Sequence, residues 1–381
     1  MKIAHLCLSC FYIDGRTYQE NELIREHVQQ GHDVQVIAST ENLNADGKLT
    51  YEAPSSYIGT EGAKVTRLSY SKLFPQKLSR KLRIHPGVFK TLESFSPDAI
   101  LFHGLCGWEI LTAAKYKRAY PDTILYADSH EDWNNSARSF LSREILHKKF
   151  YGPVLRRAQR DIKKLLCISL ETMDFVEEVY KIPRNRLEFF PLAGHPLSSE
   201  AYEKLRSEQR SILKVNNKHI VFVQSGKQTR RKKLLETLQA FSIVDDPRFR
   251  LYIAGVLTDD IRSQAEKMIA ADDRIKFVGW QNPEQLTAFL AAADVYLQPG
   301  TQSVTMQNSL CAHCAVILDD AKSHSIYMRG NGWLLNSEFS LQQAFMQVSE
   351  CSDALSKMGE ASYEIAREML DYKILAQRVL K

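Results

Sequence analysis

The sequence has 381 residues, of which 44% are hydrophobic and 25% charged, which is the composition of an ordinary folded protein of two or three domains. This excludes a collagen-like, coiled-coil or disordered chain. Fifty lysines and arginines against 45 acidic residues give a formal charge of only +5, so we expect no nucleic-acid partner and only local anion binding. No apolar run reaches the ~18–20 residues that span a bilayer. Seven cysteines, an odd number, favour a reducing compartment, so we predict a cytoplasmic protein.

The first half of the chain alternates short apolar runs with helical patterns. The runs KIAHLCLS and DVQVIAS predict two strands, and the helical NELIREHVQQ lies between them, followed by Gly31 at the expected helix end. Further strands are predicted at 98–103, 123–129, 164–169 and 187–193. Strand–helix–strand order requires a right-handed crossover, so we expect a parallel sheet.

A second series of the same kind begins after residue 200. Strands are predicted at 219–226, 250–256, 275–280, 294–300 and 315–320, and a helical pattern at 358–380 closes the series. We therefore predict an α/β protein with two doubly wound, Rossmann-like domains that face a cleft. The predicted domains are 1–195 and 200–364, joined by the Pro-, Gly- and Ser-rich 191–202, and the helix at about 365–381 is a candidate to pack back on the first domain.

Residues 70–90 depart from this alternation, because basic and apolar side chains are interleaved. The basic residues are Lys72, Lys77, Arg80, Lys81, Arg83 and Lys90, and the apolar ones include Phe74, Leu78, Leu82 and Ile84. Such a stretch can lie on an anionic membrane or hold an acidic acceptor. The alternative is a solvated helix or loop that covers one edge of a sheet.

Ligands of open α/β sheets bind at the carboxyl ends of the strands, so residues that follow strands are the candidates for chemistry. His103 and His130 both follow predicted strands, and Glu131 and Asp132 are placed to orient or charge the ring of His130. A strand-end histidine beside a carboxylate suits acid–base chemistry or the binding of a hydroxyl group. The alternative is a loop histidine that local backbone groups satisfy.

The turn after the first strand has a different character. Gly15 permits a turn ahead of a helix, and Arg16 and Tyr18 are candidates to face the cleft. No GxGxxG motif is present, which argues against a dinucleotide-dependent dehydrogenase.

In the second half, VQSGKQTRRKK concentrates positive charge after a strand that ends near Gly226. Lys227 and Lys232 lie at the start of the next helix, where cations oppose the helix dipole. This arrangement suits a di- or triphosphate, whose charge is met by cations and free N–H groups together. A solvated basic turn is the alternative.

Two more strand ends in this half suit anion or base binding. The first presents small and hydroxyl residues before a helix, a pattern that suits both N-capping and the cradling of phosphate: Gly300, Thr301, Ser303 and Thr305. The second is the KFVGW turn, where backbone groups of Val278 and Gly279 can meet a flat base.

Together these motifs resemble the GT-B nucleotide-sugar glycosyltransferases, specifically the family 4-like retaining enzymes. The resemblance rests on MKIAHL…QGHDVQVIAS, GKQTRRKK, RIKFVGW…LAAADVYLQPG and the AVI strand, and covers nearly the whole chain. It implies that Lys227 and Lys232 bind the donor diphosphate, that His130 lies near the reacting sugar, and that residues 300–305 meet the diphosphate. The other strand-end candidates then divide between the two substrates. Arg16, Tyr18, His103 and Glu131 are candidates for the acceptor side, and Gly15, Gly226, Val278, Gly279 and Asn308 are candidates for donor contacts.

The resemblance implies a retaining, hexosyltransferase-like enzyme without metal or other cofactor. It moves a sugar from a nucleoside-diphosphate sugar to a hydroxyl acceptor, such as a lipid-linked glycan or glycoconjugate in bacterial surface polysaccharide assembly. An anionic inner membrane face is a candidate partner of residues 70–90. The family's two glutamates fall on Gly300 and Asn308 by counting back from the AVI strand. Two alternatives stay open: a nucleotide-sugar epimerase of the same fold, which the loss of these carboxylates disfavours, and a catalytically silent nucleotide-sugar-binding or scaffold protein, which it favours.

Overall fold

The computed structural model describes residues 1–44 and 47–381, and the chain divides into two compact units. The first unit comprises Met1–Pro191 and Tyr372–Lys381, and the second comprises Leu192–Asp371. Each unit is built on a largely parallel sheet with helices packed against it, so the predicted fold class is confirmed.

The described residues of the first unit form ten strands: β1 (Lys2–Cys7), β2 (Asp33–Ser39), β3 (Glu41–Leu43), β4 (Leu49–Tyr51), β5 (Ser55–Ile58), β6 (Lys64–Leu68), β7 (Ala99–Phe102), β8 (Ile124–Ser129), β9 (Leu165–Cys167) and β10 (Leu187–Phe189). Its helices in Met1–Pro191 are α1 (Gln19–Gln29), α2 (Gln76–Leu82), α3 (Val88–Phe95), α4 (Ile110–Ala119), a π-helix (Ser142–Tyr151), α5 (Gly152–Ala158) and α6 (Leu170–Tyr180), with a 3₁₀ turn at Arg184–Arg186.

The main sheet of this unit has the strand order β10-β9-β8-β7-β1-β2-β6-β5. All neighbours pair in parallel except β5, which runs antiparallel to β6. The central strands are almost fully buried, as expected for continuous apolar runs covered by helices on both faces. Gly31 follows α1 with φ of +80°, the left-handed conformation that ends many helices. Strands β3 to β6 have no counterpart among the predicted strands.

The second unit contains six strands: β11 (Ile220–Gln228), β12 (Phe249–Leu257), β13 (Ile275–Gly279), β14 (Val295–Gln298), β15 (Ala315–Asp319) and β16 (Gly332–Leu335). Its helices are α7 (Ser199–Ile212), α8 (Leu234–Ile243), α9 (Asp259–Ala270), α10 (Pro283–Ala292), α11 (Val304–Cys311), α12 (Leu341–Glu350) and α13 (Leu355–Met369), with 3₁₀ turns at Arg230–Lys232, His324–Tyr327 and Ser352–Ala354.

The sheet of the second unit is parallel throughout, in the order β13-β12-β11-β14-β15-β16. Phe222 of β11 packs against three other phenylalanines, with ring centroids 5.8 Å from Phe241, 4.8 Å from Phe249 and 5.3 Å from Phe345. These edge-to-face contacts fix α8 and α12 against one face of the sheet. Because β11 and β14 pair in parallel, their carboxyl ends are neighbours.

The helical pattern predicted at 358–380 is wrong as a single helix. The chain forms α13 to Met369 and then a separate helix, α14 (Tyr372–Arg378), which belongs to the first unit. The break falls where Gly194 N donates to Leu370 O at 2.8 Å and Gly194 forms a parallel bridge with Asp371. Among the described residues, no helix is both long and apolar enough to cross a membrane.

Candidate active site

The positive charge after β11 is arranged differently from the prediction. Lys227 lies inside the strand and is exposed, and the chain then forms the 3₁₀ turn Arg230–Lys232 before α8 begins at Leu234. We call residues 227–233 the basic turn. The prediction that both lysines begin a helix is therefore wrong in detail, because the left-handed φ of +54° at Lys233 separates the turn from the helix.

Lys232 connects the basic turn to the loop after β14, which we call the 300–305 loop. Its half-buried ammonium group donates to Thr301 O at 2.6 Å and to Gln302 O at 3.3 Å. Burial, together with the neighbouring Arg231, lowers the pKa of Lys232 to about 8. The lysine is therefore an incompletely solvated cation, for which a bound anion is a favourable partner.

Gly300 allows the 300–305 loop to approach the basic turn closely. A Cβ atom at this position would lie 2.1 Å from Arg231 O and 3.0 Å from the Lys232 backbone, and Thr301 N donates to Arg231 O at 3.2 Å. A glutamate at position 300 is therefore excluded by backbone contact. Counting along the sequence placed one of the family's glutamates here, and the structure shows that this position cannot hold it.

A buried polar network supports the same loop from below. The Tyr296 hydroxyl lies 3.1 Å from Ser225 Oγ and donates to Gln298 Oε1 at 3.1 Å. Gln298 Oε1 also accepts from Ser303 Oγ at 2.8 Å, and its amide nitrogen donates to Thr301 O. The hydroxyl of Ser303 is thus committed to the loop and caps no N–H group of α11. Because this hydroxyl already has a hydrogen-bond partner within the protein, we interpret its role as stabilising the loop.

The remaining predicted donor contacts of the second unit lie at the ends of β11 and β13 and on α11. Gly226 and Gly279 have left-handed φ values of +113° and +72°, Val278 is half-buried beside Gly279, and Thr305 is buried in the first turn of α11. Asn308 is half-buried on α11 and lies against Gly194. The side-chain oxygen Oε1 of its neighbour Gln307 already accepts from Ala193 N at 2.7 Å.

In the first unit, a cavity of about 820 Å³ opens at the carboxyl ends of β1, β7 and β8. We call it the histidine pocket. His103, Asp128 and His130 lie in its wall, together with Ser9, Cys10, Glu20, Arg83, Glu131 and Arg138. Several side chains able to bind hydroxyl groups or a proton therefore converge at the edge where ligands of such sheets bind.

The central pair of this pocket is His103 and Asp128. His103 Nδ1 lies 2.5 Å from Asp128 Oδ2, and both side chains are buried. Burial lowers the pKa of His103, but the Asp128 carboxylate outweighs it and raises the value to about 9. Burial likewise raises the pKa of Asp128, yet the histidine holds it below its usual range. Asp128 Oδ1 accepts from Gly104 N at 2.8 Å and lies 3.9 Å from His130 Nε2.

The predicted partner of His130 is wrong. Glu131 accepts hydrogen bonds from Ser129 Oγ and from Leu105 N, the latter at 3.3 Å, so its carboxylate shapes the strand end instead of orienting the histidine. Asp128 on β8, two residues before His130, is the carboxylate nearest to the His130 ring among those for which a contact is described.

The turn after β1 contributes less than predicted. Gly15 N donates to Glu61 Oε1 at 3.0 Å, which uses the group that a ligand would need. Arg16 and Tyr18 are exposed, and neither lies in the wall of the histidine pocket.

Sequence reasoning missed Asp128 and Glu20. Glu20 lies in the first turn of α1, and burial raises the pKa of its carboxyl group against the opposing effect of His130 and His103. Asp128 lies inside the buried strand β8. The sequence could have indicated it through its position two residues before His130, since alternate residues of an extended chain share one face. Within residues 1–44 and 47–381 we find no group of three or more His, Cys, Asp or Glu side chains arranged to hold a metal ion.

Comparison with known proteins adds two family profiles. Glycosyltransferase Family 4 matches residues 21–193, and glycosyl transferases group 1 matches residues 206–365. The two matches lie in succession and together cover most of the chain. No curated protein sequence matches it significantly.

Solved structures of similar fold cover the whole chain. HepE from Anabaena, in complex with UDP, superposes with a TM-score of 0.64 at 13% identity, over 100% of this chain and 98% of that one. Sucrose-phosphate synthase from Thermosynechococcus elongatus gives 0.66 at 13%, over 99% and 96%. WaaG, a glycosyltransferase involved in lipopolysaccharide biosynthesis, gives 0.62 at 14%, over 99% and 98%. At these identities the likeness establishes the fold.

Two largely parallel α/β units give this chain the GT-B fold. With both profiles matched in order, the chain belongs to the family 4-like glycosyltransferases, which confirms the resemblance seen in its sequence.

Proposed function

We propose that this glycosyltransferase moves a sugar from a nucleoside-diphosphate sugar to a hydroxyl acceptor, with retention at the anomeric carbon and without a metal ion. The observation that carries the proposal is Lys232, a half-buried ammonium group that joins the basic turn to the 300–305 loop. Two positively charged or N–H-rich strand ends thus meet at one place in the second unit. The solved structure of HepE with UDP supports a nucleotide as the ligand of this fold.

The diphosphate would replace the carbonyl oxygens that Lys232 now contacts. Lys232 and the exposed Lys227 would neutralise the charge that develops on the leaving diphosphate, which is the task that a divalent metal performs in other transferases. The first N–H groups of α11 add a donor surface for the same charge. The base would meet backbone groups near Val278 and Gly279.

The histidine pocket supplies groups for sugar or acceptor hydroxyls. A carboxylate and an imidazole ring 3.9 Å apart can accept from and donate to neighbouring hydroxyl groups. We assign His130 to the donor sugar or the acceptor hydroxyl, with Asp128 as the group that orients it. The acceptor class we propose is a lipid-linked glycan or glycoconjugate of a bacterial surface polysaccharide, the kind of pathway in which WaaG acts.

A thermal-shift panel with UDP, GDP, CDP and ADP tests nucleotide binding. We expect one nucleotide to raise Tm, with the shift reduced in Lys232→Ala and partly kept in Lys232→Arg, because the arginine retains the charge. Lys267→Ala is the matched control, since Lys267 is an exposed lysine on α9 of the same unit. No shift with any nucleotide would contradict the proposal.

Product analysis then separates the three candidate activities. Release of nucleoside diphosphate with transfer to an acceptor identifies a transferase, and a changed sugar still attached to the nucleotide identifies an epimerase. Binding without any turnover identifies a silent binding protein. Activity unchanged by EDTA is expected for the metal-independent reaction, and a loss that added Mg²⁺ or Mn²⁺ restores would overturn that part.

We also propose that the first unit contacts an anionic membrane surface through residues 70–90. Leu73 is 87% exposed, and Phe74 and Leu78 beside it are also exposed. The end of the π-helix Ser142–Tyr151 contacts α2, since Tyr151 donates to Lys81 O. Near the start of the same helix, Phe140, Leu141 and Ile145 expose further apolar area, and Arg143, Lys148 and Lys149 are close in sequence. Exposed apolar groups ringed by cations match the chemistry of an anionic bilayer interface.

Liposome flotation with and without anionic lipid tests this surface. We expect binding to anionic vesicles that falls with added salt, and falls further in Leu73→Glu, because the substitution removes apolar contact and adds repulsion. Ile58→Glu is the control, since Ile58 is 70% exposed on β5, outside residues 70–90. Equal and negligible flotation on both lipid mixtures would refute the proposal.

A further inference from the structure

A line of three buried histidines runs from the histidine pocket to the last helix of the chain. His103 Nε2 lies 2.9 Å from His5 Nδ1, and His5 Nε2 lies 2.9 Å from His27 Nδ1. His27 Nε2 ends the line 2.9 Å from Ala376 O in α14. At the pocket end, His103 Nδ1 meets Asp128 Oδ2 at 2.5 Å. We call these four side chains the histidine relay.

Neither His5 nor His27 takes part in the proposed reaction, and their burial needs another explanation. Both rings have zero exposure, His5 in the middle of β1 and His27 on α1. Burying a polar ring is unfavourable unless each of its nitrogens has a partner. In this line every ring nitrogen has a hydrogen-bond partner. The partners lie on β1, α1, β8 and α14 and at the end of β7.

Counting protons in the relay gives its charge. The line contains four hydrogen bonds, so it needs four protons. Both of its ends are acceptors, the carbonyl oxygen of Ala376 and a carboxylate oxygen of Asp128. Three neutral imidazoles carry one proton each, three in all. The relay therefore holds one proton more than three neutral rings and a carboxylate, and its total charge is zero.

The position of the extra proton follows from the charges around the rings. Burial, with the neighbouring rings, lowers the pKa of His5, and burial lowers that of His27 to about 4, so both stay neutral at physiological pH. His103 faces the Asp128 carboxylate, with Cys7 of β1 and Glu20 of α1 also near it. His130 faces Asp128 from the other side. The proton therefore belongs to the His103–Asp128 pair, and the carbonyl at the far end sets the direction in which every ring donates.

We propose that the histidine relay is a positioning device, in which the extra proton keeps Asp128 ionised with its second oxygen, Oδ1, directed at His130. His5 and His27 act on the pocket through His103 and touch no substrate. The number of protons in the relay follows from its hydrogen bonds alone, whereas its effect on catalysis rests on the proposed glycosyl transfer.

Two substitutions of His27 distinguish the relay from simple packing. In His27→Phe the carbonyl no longer constrains the line, because His5 can turn its single proton towards His103 Nε2 and the fourth proton becomes dispensable. In His27→Gln the amide N–H can donate to Ala376 O and the amide oxygen can accept from His5, so the fourth proton is still required. His32→Gln is the control, since that ring lies 5.9 Å from His27 and outside the line.

Nitrogen-15 NMR of the full-length protein with labelled histidine measures the result without any substrate. We expect both His103 ring nitrogens to carry protons at pH 7.5, with loss only near pH 9 in the wild type, His27→Gln and His32→Gln. In His27→Phe the loss should occur at least one pH unit lower. Loss of the signal in His103→Gln assigns it. A neutral His103 ring in the wild type at pH 7.5, or equal shifts in the phenylalanine and glutamine variants, would overturn the relay.

The pH dependence of kcat/KM for release of UDP from UDP-glucose tests the positioning role. The alkaline limb should move down by at least one pH unit in His27→Phe and stay in place in His27→Gln. An unchanged limb alongside the expected NMR result would overturn the positioning role. Absence of turnover in the wild type would count against the proposed function with this donor, while the NMR result would still decide the proton inventory.

Discussion

Gly300→Ala tests the contact between the basic turn and the 300–305 loop. The added Cβ would lie 2.1 Å from Arg231 O, whereas ordinary contact begins at 3.4 Å, so one backbone segment must retreat by about 1 Å. Both segments are backbone and cannot rotate away as a flexible side chain does. Overpacking of this kind costs about 1–3 kcal/mol of unfolding free energy, and each kcal/mol lowers Tm by about 2–4 °C in a unit of this size.

The same displacement separates the groups that would hold the diphosphate. The contact from Lys232 Nζ to Thr301 O, now 2.6 Å, crosses the junction that must open. A misplacement of about 1 Å in a binding site can cost on the order of 100-fold in rate. We therefore expect Gly300→Ala to weaken UDP binding and to lower kcat/KM by about 100-fold, measured by calorimetry and by initial rates below Tm.

Gly359→Ala separates this effect from general destabilisation. Gly359 lies on α13, away from the basic turn, and a Cβ added there would lie 2.4 Å from the backbone oxygen of His313 in the same unit. We expect a comparable fall in Tm with UDP affinity unchanged. UDP affinity in Gly300→Ala equal to that of the wild type, or lost equally in Gly359→Ala, would refute the reasoning.

Three further results are expected. UDP affinity should fall as pH rises through about 8, because Lys232 then loses the charge that a diphosphate needs. Calorimetry in buffers of different ionisation enthalpy measures this, and an affinity that stays constant to pH 9 would contradict it. Asp294→Ala should lower the free energy of unfolding in urea by about 3–5 kcal/mol, because Asp294 Oδ2 accepts from Val221 N at 2.7 Å and from the buried Arg210 at 3.2 Å. A loss of about 1 kcal/mol or less would show that the Asp294–Arg210 ion pair is dispensable. The free energy of unfolding should fall as pH drops from about 6.5 towards 4, because His27 then takes up a proton in the unfolded chain but not in the folded protein, where its pKa is about 4. In His27→Gln the free energy of unfolding, measured in urea, should depend less on pH over this range, and an unchanged slope would exclude the effect.

The alternation of apolar runs and helical patterns was enough to predict the two parallel α/β units. A buried parallel strand must be apolar on both faces, so β1, β7, β8, β11, β12, β14 and β15 are visible as continuous runs in the sequence. Strands β3 to β6 and β16 escaped prediction. Of these, β5 and β16 are edge strands with partly exposed residues, and their patterns are weaker for that reason.

The sequence also located the basic turn and the 300–305 loop, because charge and glycine next to a strand end are local features. It did not show that the two touch, nor that Gly300 excludes any side chain there. That follows from the adjacency of β11 and β14, which are separated in sequence by two strands and three helices and are neighbours in the sheet.

Partner choice in the histidine pocket was decided by tertiary structure alone. By sequence distance Glu131 was the natural partner of His130, yet backbone direction turns it to Ser129 and Leu105 and leaves Asp128 near the ring. His5, His27 and His103 lie up to 98 residues apart, and no local pattern relates them. The sequence determined which strands form and where charge gathers, because those depend on near neighbours; the fold determined which protons and charges meet, because hydrogen-bond partners depend on position in space.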